Sequence, residues 1–206
     1  MTSTSRSQSR AARLHLLQRR TLAAHANSLL GSKEEALENE RSRLQAHASR
    51  SEEQWRHHCA NAEAWLLRSL ALGAGDELQT LIARGAAQAT VTPDWHLSMG
   101  VTYPGSVRCE PGPEPAVSST AALRPTIDAY RRALMAAADH AATTTALARL
   151  DHEVGATRRR RRAIEEHLIP RLDADIHRMD LSLDEAEREE ALRVQLARNR
   201  RKVARP

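Results

Sequence analysis

The chain has 206 residues, a net charge of +5 and a pI near 10.0, and it contains three tryptophans, two tyrosines and no phenylalanine. Because aromatic side chains usually fill a large core, this composition argues against an ordinary globular core. Hydrophobic residues make up 41% and charged residues 28%, and the hydrophobic share is rich in alanine, a pattern typical of long helices packed along a narrow seam.

The segment 1–9 is rich in serine, threonine and arginine and is predicted to be flexible. Residues 10–72 contain no proline and one glycine, Gly31, so they are predicted to form a single long helix. Leucine or alanine recurs along it with the seven-residue spacing of a coiled-coil seam, at Leu16, Ala23, Leu30, Leu37 and Leu44. A helix of this length needs a partner face that buries this stripe.

Residues 73–117, which we call the foot, have a different composition. They permit one short helix over Asp76–Arg84, with Asp76 as its N-cap. Proline and glycine then concentrate together with valine, threonine, tryptophan and tyrosine, which favours strands and turns. The sequence predicts a small β-hairpin at about residues 89–103.

A second long helix is predicted over 118–203, with N-cap candidates at Ser118, Ser119 and Thr120. Pro125 lies in its first turns, where proline is tolerated. Pro170 lies in its interior, where proline costs about 3 kcal/mol, and is predicted to bend the helix without breaking it. The apolar stripe of this helix includes Leu168, Leu172, Ile176 and Leu183.

Two helices of similar length joined by the foot predict an all-α fold, an antiparallel two-helix coiled coil with a small β-hairpin-containing foot between the helices. Placing Leu14 opposite Arg198 sets the predicted register. In that register the arginine run 158–162 faces Glu52 and Glu53, and the foot lies at the end of the pair opposite both termini.

Cysteine content and hydropathy bear on location. Cys59 and Cys109 form no CxxC pair, and two cysteines are too few for a disulfide framework, so a reducing compartment is expected. No apolar run is long enough to span a membrane, and the first ten residues, MTSTSRSQSR, lack the apolar core of a signal peptide. The expected location is the cytosol.

The sequence lacks the common short motifs that bind nucleotides or carry a catalytic nucleophile. It contains no P-loop, no dinucleotide-binding glycine pattern and no Gly-x-Ser-x-Gly elbow. The closest groups of metal-ligand residue types lack the HExxH spacing and are more simply surface residues: His57–His58, Asp139–His140 and Asp151–His152–Glu153. The chain is therefore predicted to be no enzyme and to hold no metal or cofactor.

Several short sequences near the C-terminus follow a specific order: TRRR (157–160), Glu165, LIPRL (168–172), Ile176, LDE (183–185) and ERE (187–189). This order resembles the end of the D subunit, the central rotor shaft of the vacuolar/archaeal-type rotary ATPases. The N-terminal half agrees with that family at Arg13, Leu14, Leu17, Arg20, Leu29, Leu30, Lys33 and Leu37, and MGV (99–101) with Pro104 resembles its hairpin. The chain departs from the family at Gly31, where lysine is common, and at Arg161 and Arg162, where Val-Asn is usual.

The resemblance implies a non-catalytic axle that couples ATP synthesis or hydrolysis to rotation of a membrane ring and to ion translocation. Its terminal end would sit inside a hexamer built from the catalytic and regulatory A and B subunits. The foot would bind the small F subunit, and a cap subunit would join the shaft to the ring on the cytoplasmic side of the membrane. Candidate contacts to the companion or cap subunit are Trp95, Met99, Val101, Tyr103, Tyr130 and Leu134. The alternative reading of these six residues is packing within the foot or between helices.

Five consecutive arginines, which we call the basic collar, wrap more than one helical turn: Arg158, Arg159, Arg160, Arg161 and Arg162. One interpretation is a solvated face paired with Glu52, Glu53 and Glu165, worth about 0.2–1 kcal/mol for each exposed pair. Another is a surface that faces acidic loops of the hexamer through weak, screened contacts. A basic nucleic-acid binder or a free-standing coiled-coil scaffold is the competing class, although no aromatic stacking platform or helix-turn-helix accompanies the charge.

Overall fold

A computed structural model describes residues 2–85, 88–113 and 121–203, with side chains for 10–85, 88–113 and 121–200. These residues form long helices with one two-stranded antiparallel sheet between them, which confirms the predicted fold class. The chain divides into unit 1, residues 1–33 and 156–206, and unit 2, residues 34–155. Within the described ranges, no helix has the length and apolar character needed to cross a membrane.

Helix α1 runs without interruption over Thr2–Ala71. The described backbone of residues 2–9 is thus helical, where the sequence predicted a flexible end; these residues include neither proline nor glycine to stop a helix. The helix ends at Ala71, and Gly73 in the following turn has a left-handed φ of 83°, which glycine adopts without strain. The N–H of Ala74 then bonds the carbonyl of Ser69 at 3.0 Å and turns the chain back.

Helix α2 spans Gly75–Ala83, and the prediction that Asp76 is its N-cap is wrong. The tight turn after α1 places Ala74 at the cap, and the Ala74 carbonyl accepts the first helical bond from Leu78 N–H at 2.9 Å. Asp76 lies in the first turn instead, where a negative charge still interacts favourably with the helix dipole.

The hairpin consists of β1, Thr90–Ser98, and β2, Val101–Glu110, so it extends beyond the predicted end at residue 103. Met99 and Gly100 join the strands with φ values of 49° and 81°. Positive φ at both central residues is the signature of a type I′ turn, whose twist matches that of the strands. The register shifts between Asp94 and Trp95, opposite Pro104 and Ser106, which lets β2 carry a proline and continue.

The second long helical segment contains α3, Leu123–Ala163, then a π-helical turn, Ile164–Leu168, and then α4, Ile169–Val203. The predicted N-caps Ser118, Ser119 and Thr120 lie outside the described residues. Pro125 is the third residue of α3, where its missing N–H is unimportant. The chain stays helical through Pro170, which is the second residue of α4 and follows the π turn directly.

Interhelical contacts show that the predicted register is wrong. In unit 1, Arg20 Nε donates to Asp173 Oδ1 at 3.1 Å, whereas the predicted register would have placed Leu192 there, nearly three heptads further on. Further pairs agree with the observed register: Arg10 with Glu187, Arg13 with Asp180 and, in unit 2, Arg41 with Asp151 and His47 with Thr143. A slip by whole heptads leaves the apolar stripe unchanged, so only the polar pairs distinguish the registers.

The corrected register also changes the neighbours of the basic collar. In unit 1, Arg161 lies beside Gly31, with its Nη1 3.8 Å from the position that a Cβ on Gly31 would occupy. Glu52 instead accepts a bond from Arg56, one turn along its own helix, at 2.6 Å. The predicted pairing of the collar with Glu52 and Glu53 is therefore wrong.

In unit 2 the hairpin lies alongside α3, whereas the sequence placed the foot only at the end of the pair opposite both termini. Arg149 donates to the carbonyl of Thr102 at 2.8 Å and Arg131 donates to that of Gly112 at 2.9 Å, so β2 follows α3 lengthwise. A two-stranded hairpin is marginal alone and gains stability by packing on a helix. Its Tyr103 joins the buried cluster of Leu37, Leu44, Ala146, Leu150 and Val154.

Candidate partner-binding surfaces

The basic collar occupies the last turns of α3, just before the π turn, and the helix continues beyond it into α4. Four of its members are exposed: Arg158, Arg159, Arg160 and Arg162. Arg161 is half-buried, because its guanidinium extends across Gly31 in unit 1. Four of the five side chains therefore present positive charge to the surroundings.

The predicted seam residues divide into three groups by exposure. Leu37, Leu44 and Leu172 are buried, while Leu30, Ile176 and Leu183 are half-buried. Leu168 is exposed at 36%, and the half-buried side chain at this level is Ile169. The π turn is the reason, because it adds one residue per turn and carries Leu168 away from the partner helix.

The six candidate contacts to a companion or cap subunit also differ in their exposure to solvent. Trp95, Met99, Tyr130 and Leu134 are each 42–54% exposed. Val101 is half-buried and packs against the core of unit 2. Tyr103 is only 1% exposed, so its side chain belongs to that core and presents no surface to a partner.

A polar network joins the hairpin to α1 around Tyr103. Its hydroxyl donates to Glu40 Oε1 at 2.6 Å, and Arg43 donates two bonds to the same carboxylate at 2.9 and 2.6 Å. The hydrogen bonds from Arg43, helped by Tyr103 and opposed by burial, lower the pKa of Glu40 to about 2. Burial, followed by the hydrogen bond to Glu40, raises the pKa of Tyr103 to about 12.

These pKa shifts predict a stability profile with two limbs. The lowered pKa of Glu40 contributes stability that is fully present above about pH 4.5 and is lost as pH falls toward 2. The raised pKa of Tyr103 contributes stability that is present below pH 10 and is lost as pH rises toward 12. We expect the denaturation midpoint of the Glu40→Gln variant, measured by tryptophan fluorescence, to fall less than that of the original chain as pH is lowered from 4.5 toward 2. The exposed control Glu53→Gln is expected to show the same fall as the original chain, and an equal fall in both variants would contradict the prediction.

Unit 1 exposes an apolar surface that the sequence pattern did not predict. Leu14, Leu22 and Leu29 are 58%, 67% and 58% exposed and lie within an arc of roughly 80° on α1. On α4, Leu181, Leu192, Val194 and Leu196 are exposed as well. The sequence did contain a signal for this exposed surface, because Leu14, Leu22 and Leu29 lie outside the heptad positions 16, 23 and 30.

The buried apolar core of unit 1 is small by comparison. Among its described residues, the buried hydrophobic ones are Ala23 and Leu172. Exposed ion pairs such as Arg20–Asp173 add only about 0.2–1 kcal/mol each. Exposed apolar patches of this kind are typical of surfaces that bind a partner.

The part of the chain that the structure describes contains no group of three or more side chains suited to hold a metal ion. Asp151, one of the acidic residues considered as a ligand, pairs with Arg41 of α1. His140 stacks on Trp55 with ring centroids 5.4 Å apart, and its Nδ1 lies 3.2 Å from Ser51 Oγ. These side chains have packing roles between α1 and α3.

The described chain thus consists of long helices with a hairpin between them, and it exposes apolar and basic surfaces. Among curated proteins, none is similar enough in sequence to match this chain. The family model for the ATP synthase D subunit matches residues 13–199, a range that includes both long helical segments and the foot. The chain therefore belongs to the family of ATP synthase D subunits and is a stalk subunit of a rotary ATPase.

Proposed function

We propose that this stalk subunit is the central rotor shaft of a vacuolar/archaeal-type rotary ATPase or ATP synthase. It has no catalytic role and couples ATP synthesis or hydrolysis in a catalytic hexamer to rotation of a membrane ring and to ion translocation. The observation that carries the proposal is unit 1, which pairs two long helices around a very small core while exposing leucines outward.

An enclosing hexamer of A and B subunits is the partner that fits unit 1. A sleeve around a helix pair covers side chains that point in several directions, whereas a partner on one side covers a single face. The exposed leucines occur on α1, at Leu14, Leu22 and Leu29, and also on α4, at Leu192 and Leu196. Apolar contacts without directional bonds also suit a shaft that turns within its sleeve.

The basic collar supports a second contact with the hexamer. Its exposed arginines present charge around the helix, so each catalytic or regulatory subunit meets a similar surface as the shaft turns. Exposed ion pairs are weak and screened, and they can therefore be released at each step.

The foot supports binding of the F subunit and of a cap subunit that joins the shaft to the membrane ring. Trp95 and Met99 on the hairpin and Tyr130 and Leu134 on α3 are the exposed candidates. Val101 lies partly inside the core and borders this surface. Through these partners the protein would be a peripheral component on the cytoplasmic side of the membrane.

A pull-down tests the proposal. The full-length chain, tagged and expressed in its native cells, is recovered from membranes, and the eluate is assayed for ATP hydrolysis. Recovery of a nucleotide-hydrolysing hexamer supports the shaft. Salt-sensitive recovery of nucleic acid, or recovery of the chain alone, favours the competing class of basic nucleic-acid binder or free-standing scaffold.

Neutralising the collar is expected to impair coupling more than stability. Replacing Arg158, Arg159, Arg160 and Arg162 with glutamine leaves Arg161 on Gly31 and removes the outward charge. We expect ATP turnover of the assembled complex to fall several-fold, while the melting temperature of the chain changes little because exposed substitutions cost at most about 0.5 kcal/mol each.

The matched control replaces four exposed arginines of unit 2 with glutamine: Arg50, Arg84, Arg108 and Arg132. It removes the same net charge at other positions and is expected to keep normal turnover. Equal turnover in the two quadruple variants would exclude a specific role for the collar.

A further inference from the structure

The π turn at Ile164–Leu168 interrupts the regular hydrogen bonding of the second long helical segment. The N–H of Ile169 bonds the carbonyl of Ile164, five residues back, where an α-helix would use the carbonyl four residues back. Pro170 follows and has no N–H, so it donates no bond to the carbonyl of Glu165 or of Glu166. The backbone of this turn is therefore less constrained than that of the α-helix around it.

The α1 segment that faces this turn in unit 1 also has a low helix stability. Gly31 lies inside the helix next to Arg161, and glycine loses more backbone entropy than alanine when it becomes helical. Asn27 lies between Gly31 and Arg20, the partner of Asp173, so it is level with the π turn. The π turn in one helix and Gly31 in the other thus weaken the two helices at about the same level along the pair.

Polar atoms add to the weakness at this level. Asn27 Oδ1 and, on α3, Thr157 Oγ1 are buried and have no hydrogen-bond partner among the described residues. A buried polar atom without a partner destabilises the packed state relative to a locally opened one. Local opening of the helix pair would let both atoms reach water.

Packing is sparse over the same stretch. Ala23 and Glu34 are buried on α1, but no residue between them is. On the facing chain segment, Thr157 and Leu172 are buried, and none of residues 158–171 is. Resistance to twisting and bending comes from helical hydrogen bonds and from interlocked side chains, and both are reduced here.

We propose that residues 24–33 and 158–171 form a compliant joint, a place where the paired helices of unit 1 twist and bend before they yield elsewhere. Its mechanical use depends on the proposed function: in a rotor shaft, this joint would take up twist between one catalytic step and the next. The joint itself is a property of the isolated chain and can be measured without an ATPase.

Hydrogen–deuterium exchange of the purified full-length chain tests the joint. Amides of residues 164–172 are expected to exchange about tenfold or more faster than those of residues 146–154 in α3, because local opening sets the exchange rate. Comparable protection in the two segments would overturn the proposal.

A repaired variant sharpens the test. Deleting His167 and replacing Pro170 with alanine removes the extra residue of the π turn, restores the missing N–H and leaves the phase of Ile169 and Leu172 toward the seam unchanged. Exchange of residues 164–172 is expected to slow about tenfold, provided that circular dichroism shows full helicity. Unchanged exchange in this folded variant would also overturn the proposal.

Single substitutions keep the test independent of the deletion. Gly31→Ala has room, since its Cβ would meet Arg161 only at 3.8 Å, and it is expected to slow exchange across residues 24–33. The control Ser49→Ala also raises helix propensity, but at an exposed site in unit 2, and is expected to leave those amides unchanged. If both variants change residues 24–33 equally, or neither does, the joint is excluded there. Failure of the pull-down would reject the rotor function without altering these exchange rates.

Discussion

Replacing Tyr103 with alanine is expected to lower the free energy of unfolding of unit 2 by about 3–5 kcal/mol. The ring is 1% exposed and packs with Leu37, Leu44 and Leu150, so its removal leaves a cavity that these side chains fill only in part. The same change removes the donor to Glu40. Denaturant unfolding followed by tryptophan fluorescence measures the effect, because Trp55, Trp65 and Trp95 all belong to unit 2.

Two control variants separate packing from hydrogen bonding in this experiment. Tyr103→Phe keeps the ring and loses only the bond to the ionised Glu40, so a smaller loss of about 1.5–3 kcal/mol is expected. Leu97→Ala changes a hairpin residue that is 70% exposed and is expected to stay within about 0.5 kcal/mol of the original chain. If Tyr103→Ala cost no more than Leu97→Ala, the hairpin would not be anchored through this side chain.

The second large effect separates a buried leucine from exposed ones. Leu37→Ala is expected to cost about 2–5 kcal/mol, because Leu37 is 0% exposed in the core of unit 2. Replacing Leu14, Leu22 and Leu29 together with alanine is expected to leave the unfolding of unit 2 unchanged. The triple variant should instead lose most of the ATP-hydrolysing hexamer in the pull-down, because its leucines form the surface that we propose the sleeve covers.

Leu67→Ala with Leu72→Ala provides the matched control for that loss. These leucines are 68% and 64% exposed but belong to unit 2. Their replacement removes exposed apolar area without touching unit 1, so recovery of the hexamer should persist. Equal recovery with the triple variant and with this control would place the sleeve contact elsewhere on the chain.

The register of the helix pair shows a limit of sequence reasoning. The seven-residue repeat of apolar residues predicted two partner helices, but it looks the same after any slip by whole heptads. The deciding contacts are polar pairs such as Arg20–Asp173 and His47–Thr143, which depend on the two helices being side by side. Charged residues are frequent along both helices, and several registers therefore offered reasonable ion pairs.

The π turn left a signal in the sequence that was not used. Seam positions continue from Ile164 to Ile169 with a step of five, while other seam steps are three or four. If the same sequence continued from Ile164 as a regular α-helix with no π turn, Arg171 and Asp175 would face the seam in place of Leu172 and Ile176. Pro170 predicted a disturbance at this point, and the phase of the leucines could have identified it as a one-residue insertion.

Candidate surfaces were predictable only as far as local pattern indicates exposure. The basic collar was visible as a run of arginines, and most of its members are exposed. Tyr103 was assigned both a partner role and a core role, and its burial followed from the path of the hairpin along α3. The exposed leucines of unit 1 were missed, because a leucine near a heptad stripe looks like a core residue until its partner helix is placed.

The sequence by itself determined the helical segments, the hairpin between them and membership in the family of ATP synthase D subunits, because these depend on local periodicity, turn residues and ordered motifs. Tertiary structure alone decided the register, the docking of the hairpin through Tyr103 and the depleted core between residues 24–33 and 158–171. The physical reason is that propensity and periodicity act within one segment. Registry and burial instead depend on interactions between segments far apart in the chain.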